Sequence, residues 1–537
     1  MHCDQRFSLL PIVGACLFLG AQTATHSADW PQWRGPTRDG VAPDSPPLAE
    51  AWPNEGPAKL WQSEAVPSGE DGNLSSPIVA GGKVFIHVNW RYRESLVTRT
   101  LADVGLRNLG WRPEKIPDEL SKRIEEARLS EERDRLGGAE LSKWVDAWVA
   151  EHLVTDEQKK LTNVVKERLN SGKDALAVDV LNKLSTIKDR TFATKEEIDK
   201  WLAENGIDGD LKKKIDGQIP ITCDLADDVV MCFSAADGKT LWKVKLPGTA
   251  CGWAANSTPC VSGNRLYVHG SRKNVYCLDV DKGGVVWKNQ LSPGNDISSS
   301  FLVEDGLAVV SAGCLTAFDA RTGEIKWKMG GAVSTAASPH IWKIGDRKCV
   351  ICNGNIACVD LKTGEMLWMV PESGGGNSTT VLKDDLLVVF GERKEAGITC
   401  YKLTAEKAEK AWTVALWDRG SSPIISGGYV YAIGGGGAAR TVCVDLKTGQ
   451  LAWDEKIGFQ EISSPILADG KMFALVDNYG ALAMWKAVPA KSGWLGKFKL
   501  TDMAPCTSPA FVDGKIFLRL KNAIACYDLT AKPAAAQ

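Results

Sequence analysis

The sequence has 537 residues, a formal net charge of -2 and 44% hydrophobic residues. A chain of this length can bury a large core, and its nearly neutral charge gives no electrostatic reason to bind nucleic acid or an anionic membrane. We therefore expect neither of these partners.

Residues 1–28 predict a cleaved export signal. Arg6 precedes an apolar stretch from Phe7 to Gly20, and small residues then lead to Ala28, which is the order of regions in a secretory signal peptide. The stretch is shorter than about 18 residues and contains Pro11, so we expect no transmembrane span in the mature chain. Apolar residues continue past Cys16, and lipidation at this cysteine stays open.

Residues 29–89 contain a strand-like segment, Ala58-Lys59-Leu60-Trp61, that belongs to no complete unit of its own. It is followed by Ser75-Ser76-Pro77 and an apolar run. We interpret this region as an N-terminal closing strand and the start of a first β-sheet unit.

Residues 90–222 predict an insertion of charged helices into that first unit. Apolar residues recur at helical spacing, and Thr155 and Thr194 each begin a capping-box pattern. The insertion is either a small helical cap with its own core or a lid or docking arm, because long insertions are often functional. The predicted helices are Asp118 to Leu136, Ala139 to Leu153, Asp156 to Asn170, Ala175 to Ile187 and Lys195 to Glu204.

A single phrase recurs five times between residues 229 and 453: an apolar run, a tight turn ending in Gly, and Trp four residues later. Gly supplies the positive φ of the turn, and Trp supplies a flat ring to pack on a neighbour. A Ser-x-Pro start with an apolar strand lies upstream. Strands and turns without helices predict four-stranded blades over residues 223–530. The predicted structural docking residues are Trp61, Trp242, Gly283, Trp287, Gly323, Trp327, Gly364, Trp368, Trp412, Gly449, Trp453 and Trp494.

The spacing of these Trp residues gives the number of blades. Those from Trp242 to Trp494 follow at steps of 40 to 45 residues, and an eighth unit from Thr507 to Leu529 lacks an outer strand. The segment Ala58 to Trp61 would supply that strand and leave no open edge. We predict an all-β fold, an eight-bladed β-propeller with a helical insertion in blade 1. Irregular units around Lys402 and Trp485 leave seven blades plus an irregular segment as the alternative.

This pattern resembles the quinoprotein-type β-propeller family, whose pyrroloquinoline-quinone-binding-like repeats carry tryptophan docking motifs. The resemblance covers residues 29–89 and 223–530, and Asp29-Trp30-Pro31-Gln32-Trp33-Arg34-Gly35-Pro36 is similar to the opening of secreted bacterial members. The family contains quinone-dependent alcohol and sugar dehydrogenases. It also contains cofactor-free scaffolds similar to the propeller subunit of the outer-membrane β-barrel assembly machinery. The resemblance therefore implies the fold without choosing an activity.

The cysteines predict packing rather than disulfides. Equivalent positions in different blades should lie beyond the roughly 7 Å Cα separation that a disulfide tolerates, so we interpret these residues as small buried hydrophobes. Cys349 and Cys352 have the spacing of a metal or redox site, but they lie in a strand-like run without a second such pair. Six cysteines occupy one strand position of six units: Cys232, Cys277, Cys358, Cys400, Cys443 and Cys526.

No catalytic constellation stands out. By its resemblance, a quinone dehydrogenase would need a carboxylate base, a Ca²⁺ site of Glu, Asn and Asp oxygens, and basic groups for the quinone. The chain has no adjacent Cys-Cys pair and no Cys-x-x-Cys-His for a c-type haem. The histidines His87, His152, His269 and His340 are scattered. Loop residues that would face a central channel, none of them assigned a catalytic role, are Arg272, Asp296, Asn377, Glu392, Arg393, Asp418, Arg419, Arg440 and Asp477.

We therefore predict a non-catalytic exported propeller that acts as a protein-interaction scaffold for a partner in the cell envelope. No cofactor and no metal are expected. The alternative is an oxidoreductase acting on alcohols or sugars with pyrroloquinoline quinone and Ca²⁺, and polysaccharide binding is a third interpretation. A periplasmic, envelope-associated or secreted destination, the identity of the partner and the oligomeric state stay open.

Overall fold

A computed structural model describes residues 29–67, 74–249, 257–291, 299–331, 336–371, 373, 376–435, 440–456, 463–491 and 493–531. The predicted signal, residues 1–28, and Asp296 lie outside these ranges. The chain divides into two compact units, one of Met1–Arg91 with Ala226–Gln537 and one of Tyr92–Leu225. Within the described ranges, no helix has the length and apolar character needed to cross a membrane.

Alternating apolar residues and Gly turns produce the strands of the first unit. Eight antiparallel sheets have four strands each: sheet 1 is β2-β3-β6-β7, sheets 2 to 7 take β8 to β31 in consecutive fours, and sheet 8 is β32-β33-β34-β1. The strands are β1 (Ala58–Gln62), β2 (Ile78–Ala80), β3 (Lys83–Ser95), β4 (Arg99–Thr100), β5 (Thr191–Phe192), β6 (Thr222–Ser234), β7 (Thr240–Pro247), β8 (Cys260–Ser262), β9 (Arg265–His269), β10 (Asn274–Asp279), β11 (Val285–Gln290), β12 (Leu302–Glu304), β13 (Leu307–Ser311), β14 (Leu315–Asp319), β15 (Ile325–Met329), β16 (His340–Ile344), β17 (Arg347–Cys352), β18 (Ile356–Asp360), β19 (Met366–Val370), β20 (Val381–Lys383), β21 (Leu386–Phe390), β22 (Ile398–Leu403), β23 (Ala408–Val414), β24 (Ile424–Ser426), β25 (Tyr429–Gly434), β26 (Arg440–Asp445), β27 (Leu451–Lys456), β28 (Ile466–Ala468), β29 (Lys471–Val476), β30 (Ala481–Lys486), β31 (Gly493–Lys499), β32 (Ala510–Val512), β33 (Lys515–Arg519) and β34 (Ile524–Asp528).

A circuit of hydroxyl groups joins the starts of the innermost strands. In each sheet the backbone N–H of one Ser or Thr donates to the hydroxyl oxygen of its counterpart in the next sheet, at 2.9 to 3.2 Å. Ser508 of sheet 8 donates to Ser76 of sheet 1 at 2.9 Å, so the circuit closes. Its members are Ser76, Thr258, Ser300, Ser338, Thr379, Ser422, Ser464 and Ser508. The Ser-x-Pro phrase thus holds neighbouring sheets together and makes the eight sheets a ring.

Tryptophans join the sheets at the outer strands. The Trp242 indole N–H donates to the Val280 carbonyl of the next sheet at 3.0 Å. A Cβ atom on Gly283, which has φ of +70°, would lie 2.6 Å from the Trp242 ring. Gly is therefore required there for both conformation and space. Indoles that donate in the same way are Trp61, Trp287, Trp327, Trp368, Trp412 and Trp453.

Sheet 7 departs from this pattern, and the assignment of Trp494 as a docking residue is wrong. Its side chain is 44% exposed and packs edge-on against Trp485 of its own sheet, with ring centroids 5.1 Å apart. Trp485 is fully buried and pairs with Trp494 on the other side of the β-bulge from the docking position. The docking position of sheet 7 is Gly496, which pairs with Met484 as Trp453 pairs with Cys443. Trp494 therefore has the exposed position of Leu451 in sheet 6.

Strand β1 lies in the last sheet, where the sequence predicts a closing strand. It pairs with β34, and Trp61 is the partner of Cys526. The Trp61 indole donates to Ala235 of sheet 1 at 3.0 Å, so the first strand of the chain joins the last sheet to the first. The large apolar cluster at this junction includes Trp61, Phe233 and Phe517.

The second unit is helical, with boundaries that differ from the predicted ones. The predicted helix over 118–136 breaks because the Ser130 hydroxyl caps a new helix at Arg133 N. The helix over 156–170 breaks after Lys159. Thr155 forms the full capping box with Gln158, whereas Thr194 only accepts from Glu197 N. The helices are α1 (Asp103–Asn108), α2 (Asp118–Arg128), α3 (Glu131–Asp134), α4 (Gly138–His152), α5 (Asp156–Lys159), α6 (Thr162–Ser171), α7 (Val178–Ser185), α8 (Lys195–Glu204) and α9 (Gly209–Asp216), with short 3₁₀ turns at Gly172–Asp174 and, in the ring, Ser271–Lys273.

Two apolar clusters stabilise the helical unit. One surrounds Leu106, Leu184 and Leu202, and the other surrounds Ile124 and Val165. At the second cluster, two nearly buried arginines, Arg128 and Arg168, both donate to Glu125. The helical unit therefore has its own core.

Candidate functional site at the centre of the ring

The segment over residues 29–48 lies across the innermost strands. Trp30 exchanges backbone hydrogen bonds with Val79 of sheet 1, at 2.8 and 2.9 Å, and the Pro31 carbonyl accepts from Val261 N of sheet 2 at 2.7 Å. Further on, Ala42 N donates to the Leu467 carbonyl of sheet 7 at 2.8 Å. The segment therefore contacts the innermost strands of sheets 1, 2 and 7.

Two arginines of this segment reach the intervening sheets. Arg34 is 2% exposed and donates to the carbonyl oxygens of Ser422, at 3.0 Å, and Pro423 of sheet 6. Arg38 is 1% exposed and donates to the carbonyl of Ser300 in sheet 3 at 3.2 Å. These are sites in the hydroxyl circuit, so the two guanidinium groups lie at the centre of the ring.

The local backbone explains the Trp-Arg-Gly order of this motif. Arg34 and Arg38 have φ of 64° and 63°, a conformation that Asn or Gly adopts more readily than Arg. A Cβ atom on Gly35, at φ of +83°, would lie 2.9 Å from the Trp30 ring. The neighbouring Trp33 donates from its indole N–H to the Thr379 hydroxyl at 3.2 Å. Together, these contacts hold the backbone of Arg34 and Arg38 in its strained conformation.

The histidines of the ring bond to backbone carbonyls. Nδ1 of His87 lies 3.3 Å from the Ser257 carbonyl of the next sheet, and Nδ1 of His269 lies 3.2 Å from that of Ser299. His340 faces the Thr380 carbonyl at 2.8 Å. Burial, the largest cause, lowers the pKa of His340 to about 4, and the charges of Arg38 and Arg34 act in the same direction, whereas the Thr380 contact and Asp39 raise it. These bonds between sheets give the histidines structural roles.

A buried carboxylate joins sheets 1 and 2. Asp228 is fully buried and accepts from Ser271 N at 2.8 Å, Ser271 Oγ at 2.9 Å and Asn89 Nδ2 at 3.1 Å. His87 Nε2 lies 3.4 Å from the same carboxylate. Burial raises the pKa of Asp228, but the His87 contact and these hydrogen bonds outweigh it, so the pKa lies below its ordinary value. Ser271 donates to the carboxylate itself, which differs from a Ser-His-Asp relay.

The loop residues predicted to face a channel do not converge. Asp418 is buried and accepts from Gly420 N and Ser421 N, at 2.9 and 2.7 Å, so it shapes its own loop. Arg440 pairs with Asp454 on the neighbouring strand. Asp477 pairs with Lys497 at 2.5 Å. The side chains of Arg272, Arg393 and Arg419 are exposed, and those of Asn377 and Glu392 are partly exposed.

Sequence reasoning missed the central residues for a physical reason. Arg34 was recognised only within the opening motif, and Arg38 and Asp228 carried no repeated signal. Their positions depend on a segment that pairs with strands 50 to more than 400 residues away. A Trp-Arg-Gly motif with a second Arg four residues later is the one local sign that was available.

The cysteines face the docking tryptophans. Cys277 is the cross-strand partner of Trp287, and Cys443 that of Trp453. Burial raises the pKa of the Cys277 thiol to about 12 and that of Cys443 to about 11. All cysteines within the described ranges are free thiols. No group of three or more His, Cys, Asp or Glu in those ranges is arranged to hold a metal ion.

Comparison with known proteins gives one repeated name. The model of a family described as outer membrane protein assembly factor BamB matches residues 226–381 and 401–494. BamB of Moranella endobia is 24% identical over 284 residues, 49% of this chain and 61% of that protein. BamB of Yersinia pestis is 21% identical over 48% of this chain and 58% of that protein. The chain thus covers less than two thirds of the length of these relatives.

The other similar proteins include one curated protein with a different name and two solved structures. A tetrathionate hydrolase of Acidithiobacillus ferrooxidans is 23% identical over 45% of this chain and 53% of that protein. The solved structure of BamB from Moraxella catarrhalis superposes with a TM-score of 0.45 and 14% identity, over 57% of this chain and 90% of that chain. A quinohemoprotein alcohol dehydrogenase from Comamonas testosteroni has a TM-score of 0.45 and 12% identity, over 58% of this chain and 73% of that chain.

Proposed function

Because this chain is a propeller of pyrroloquinoline-quinone-like repeats similar to BamB, we propose that it is a non-catalytic scaffold of the cell envelope. In this proposal the eight sheets are the eight blades of the propeller, and the helical unit is an insertion into blade 1. The chain is exported, and its partner is a protein, of the kind that takes part in outer membrane protein assembly.

One observation carries the proposal: polar side chains at the centre of the ring bond to neighbouring sheets. The hydroxyl circuit, the carbonyl contacts of His87 and His269, and the two hydrogen bonds from Ser271 to Asp228 all connect one sheet to the next. Groups committed in this way stabilise the ring. The predicted loop residues, by contrast, are spread among separate ion pairs and turns. This favours a rigid framework that presents its outer surfaces to a partner.

The outer strands offer exposed apolar side chains for such contact. Leu60 of sheet 8, Leu241 of sheet 1, and Val285 and Val286 of sheet 2 are each at least 39% exposed, and they belong to three consecutive sheets. Met366 of sheet 4 lies apart from them and is 42% exposed. Apolar groups that recur on adjacent units can add up to an interaction surface.

Site-specific photocrosslinking in the native host tests the proposal. A photoreactive amino acid would replace Leu241, Val285 or Met366, one at a time, in the full chain. We expect discrete adducts with an envelope protein at one or more of these positions, and a different yield at Met366 than at Leu241. Fractionation would check export in the same cells. Recovery of the chain in the cytoplasm without adducts would contradict the scaffold.

The enzymatic alternative has its own test. We propose that the chain neither binds pyrroloquinoline quinone at micromolar concentration nor oxidises alcohols or sugars. Quinone would be titrated into the purified protein with Ca²⁺, and reduction of a dye would be followed with alcohols and aldoses. Stoichiometric binding with substrate-dependent dye reduction would replace the scaffold by a quinone-dependent oxidoreductase.

A further inference from the structure

The two arginines at the centre of the ring carry positive charges that the acidic side chains among the described residues do not neutralise. Arg34 and Arg38 are 2% and 1% exposed, and a buried charge is costly unless it is paired. Within the described ranges, neither forms an ion pair. The nearest acid is Asp39, whose charge raises the pKa of Arg34. The Asp39 carboxylate, however, accepts from Val41 N at 2.9 Å.

Among the described residues, the acceptors of the two guanidinium groups are neutral oxygens. Arg34 donates to backbone carbonyls, including that of Asp39 at 2.7 Å. Arg38 donates to the Gln32 side-chain oxygen at 2.8 Å and to the carbonyls of Ser300 and Phe301. Neutral acceptors satisfy N–H groups without cancelling the charge. Burial lowers the pKa of both arginines to about 10, so both stay protonated at neutral pH.

Two buried donors beside this charge have no hydrogen-bond partner within the described ranges. One is Nε of Arg38, and the other is the hydroxyl of Thr380, which is 1% exposed. Arg38 contacts sheet 3 and Thr380 belongs to sheet 5. His340 belongs to sheet 4 between them, and the charges of Arg38 and Arg34 both contribute to lowering its pKa. His340 Nδ1 lies 2.8 Å from the Thr380 carbonyl, which connects the hydroxyl to the same group of side chains.

We propose that Arg38, Arg34 and Thr380 form a binding site for a small oxyanion, a phosphate or a carboxylate, at the centre of the ring. The anion accepts from Arg38 Nε and the Thr380 hydroxyl and neutralises the guanidinium charge. A guanidinium group presents several N–H donors in a plane that matches such oxygens. The site lies on the N-terminal segment and goes beyond the scaffold function.

Calorimetric titration of the full chain with inorganic phosphate, acetate and chloride at constant ionic strength tests this site. We expect submillimolar binding of phosphate or acetate and none of chloride. Arg38→Gln should weaken the binding at least tenfold, because Gln replaces the charge by a neutral amide. Arg272→Gln, at an exposed arginine, is the matched control and should bind as the wild-type chain does.

A second readout covers the case in which Arg38→Gln fails to fold. Thr380→Ala keeps both arginines and should weaken oxyanion binding several-fold. In the wild-type chain, the imidazole resonances of His340 should titrate at higher pH with phosphate than with chloride, because the anion offsets the arginine charges. Absence of oxyanion binding by the wild-type chain, equal binding by Arg38→Gln, or an unchanged His340 titration would each overturn the proposal.

Discussion

The junction between sheets 2 and 3 and the junction between sheets 7 and 8 use the same repeat in different ways. At the first, Trp287 is 7% exposed, faces Cys277, and donates to the Ala320 carbonyl of the next sheet at 3.0 Å. At the second, Trp494 is 44% exposed and packs on Trp485 instead. The difference teaches that docking depends on the position of the Trp relative to the β-bulge of its sheet. Trp287 pairs with Cys277 next to the bulge, whereas Gly496 has the equivalent position in sheet 7.

The largest effect expected from this comparison is at the tryptophans themselves. Trp287→Ala should lower the free energy of unfolding by about 4 kcal/mol, because it removes a buried ring and one of the two donors to the Ala320 carbonyl. Trp494→Ala should cost under about 1 kcal/mol, since its ring is half in solvent. Urea unfolding followed by circular dichroism measures both. Equal losses would show that both tryptophans dock alike.

The junction between sheets 1 and 2 contains a buried carboxylate in addition to the Trp242 contact. Asp228→Asn should cost about 3 kcal/mol, because an amide cannot accept from Ser271 and Asn89 together. Since the pKa of Asp228 is lower in the folded chain than in the unfolded one, the wild-type contribution is present above the ordinary pKa of Asp. It should be lost as pH falls through the lowered value. Urea titrations at pH 7 and pH 3 would check this, and a variant as stable as wild type at pH 7 would rule it out.

Two glycines allow the effect of contact with a Trp ring to be distinguished from the effect of backbone conformation. Gly323 and Gly428 have φ of 77° and 82°. A Cβ atom on Gly323 would lie 2.6 Å from the Trp287 ring, whereas one on Gly428 meets nothing within 4 Å. Both changes to Ala incur the cost of a left-handed residue, about 1 kcal/mol. Gly323→Ala should cost about 2 kcal/mol more by displacing the ring. Thermal melts compare the two, and similar melting temperatures would exclude the steric role.

The smallest effect is a pH dependence at the junction of sheets 4 and 5. His340 has its pKa lowered to about 4 by burial first and then by the charges of Arg38 and Arg34, which outweigh the Thr380 contact and Asp39. The unfolded chain therefore binds this proton more tightly, and stability falls as pH drops below about 6.5. The loss at pH 5.5 should be about 1 kcal/mol. His340→Gln should remove this part of the acid sensitivity, and an unchanged difference between pH 7 and pH 5.5 would contradict the assignment.

The repeat made the ring predictable from the sequence, whereas the positions that depart from the repeat could not be predicted. Trp and Gly at fixed spacing predict strands and turns because each sheet solves the same packing problem. Trp494 fits the spacing along the chain, but it lies two residues before the docking position of its strand, which Gly496 occupies. The predicted helices over 118–136 and 156–170 missed the breaks near Ser130 and Lys159 for a related reason. A helix boundary inside a periodic apolar pattern is hard to recognise from the sequence.

The central site was harder to predict than the ring. The central positions of Arg34 and Arg38 become visible only in the folded chain, where the N-terminal segment lies across strands that follow it by hundreds of residues. Single-sequence reasoning treats a short Arg-rich motif as solvated. Asp228 resembles the neighbouring Asp227 in sequence, yet Asp228 is fully buried and Asp227 is not, because the alternation along β6 sends the two side chains to opposite faces.

Pairing of β1 with β34 also sets an order of events during synthesis. Ala58–Gln62 emerges early from the ribosome, but its partner strand ends at Asp528 and is made near the end. Until β34 is made, strand β1 has no partner, and the edge of the last sheet that β1 covers stays unpaired. The ring can therefore close only when almost the whole chain is available. A truncated or stalled chain keeps unpaired strand edges, which can pair with other chains.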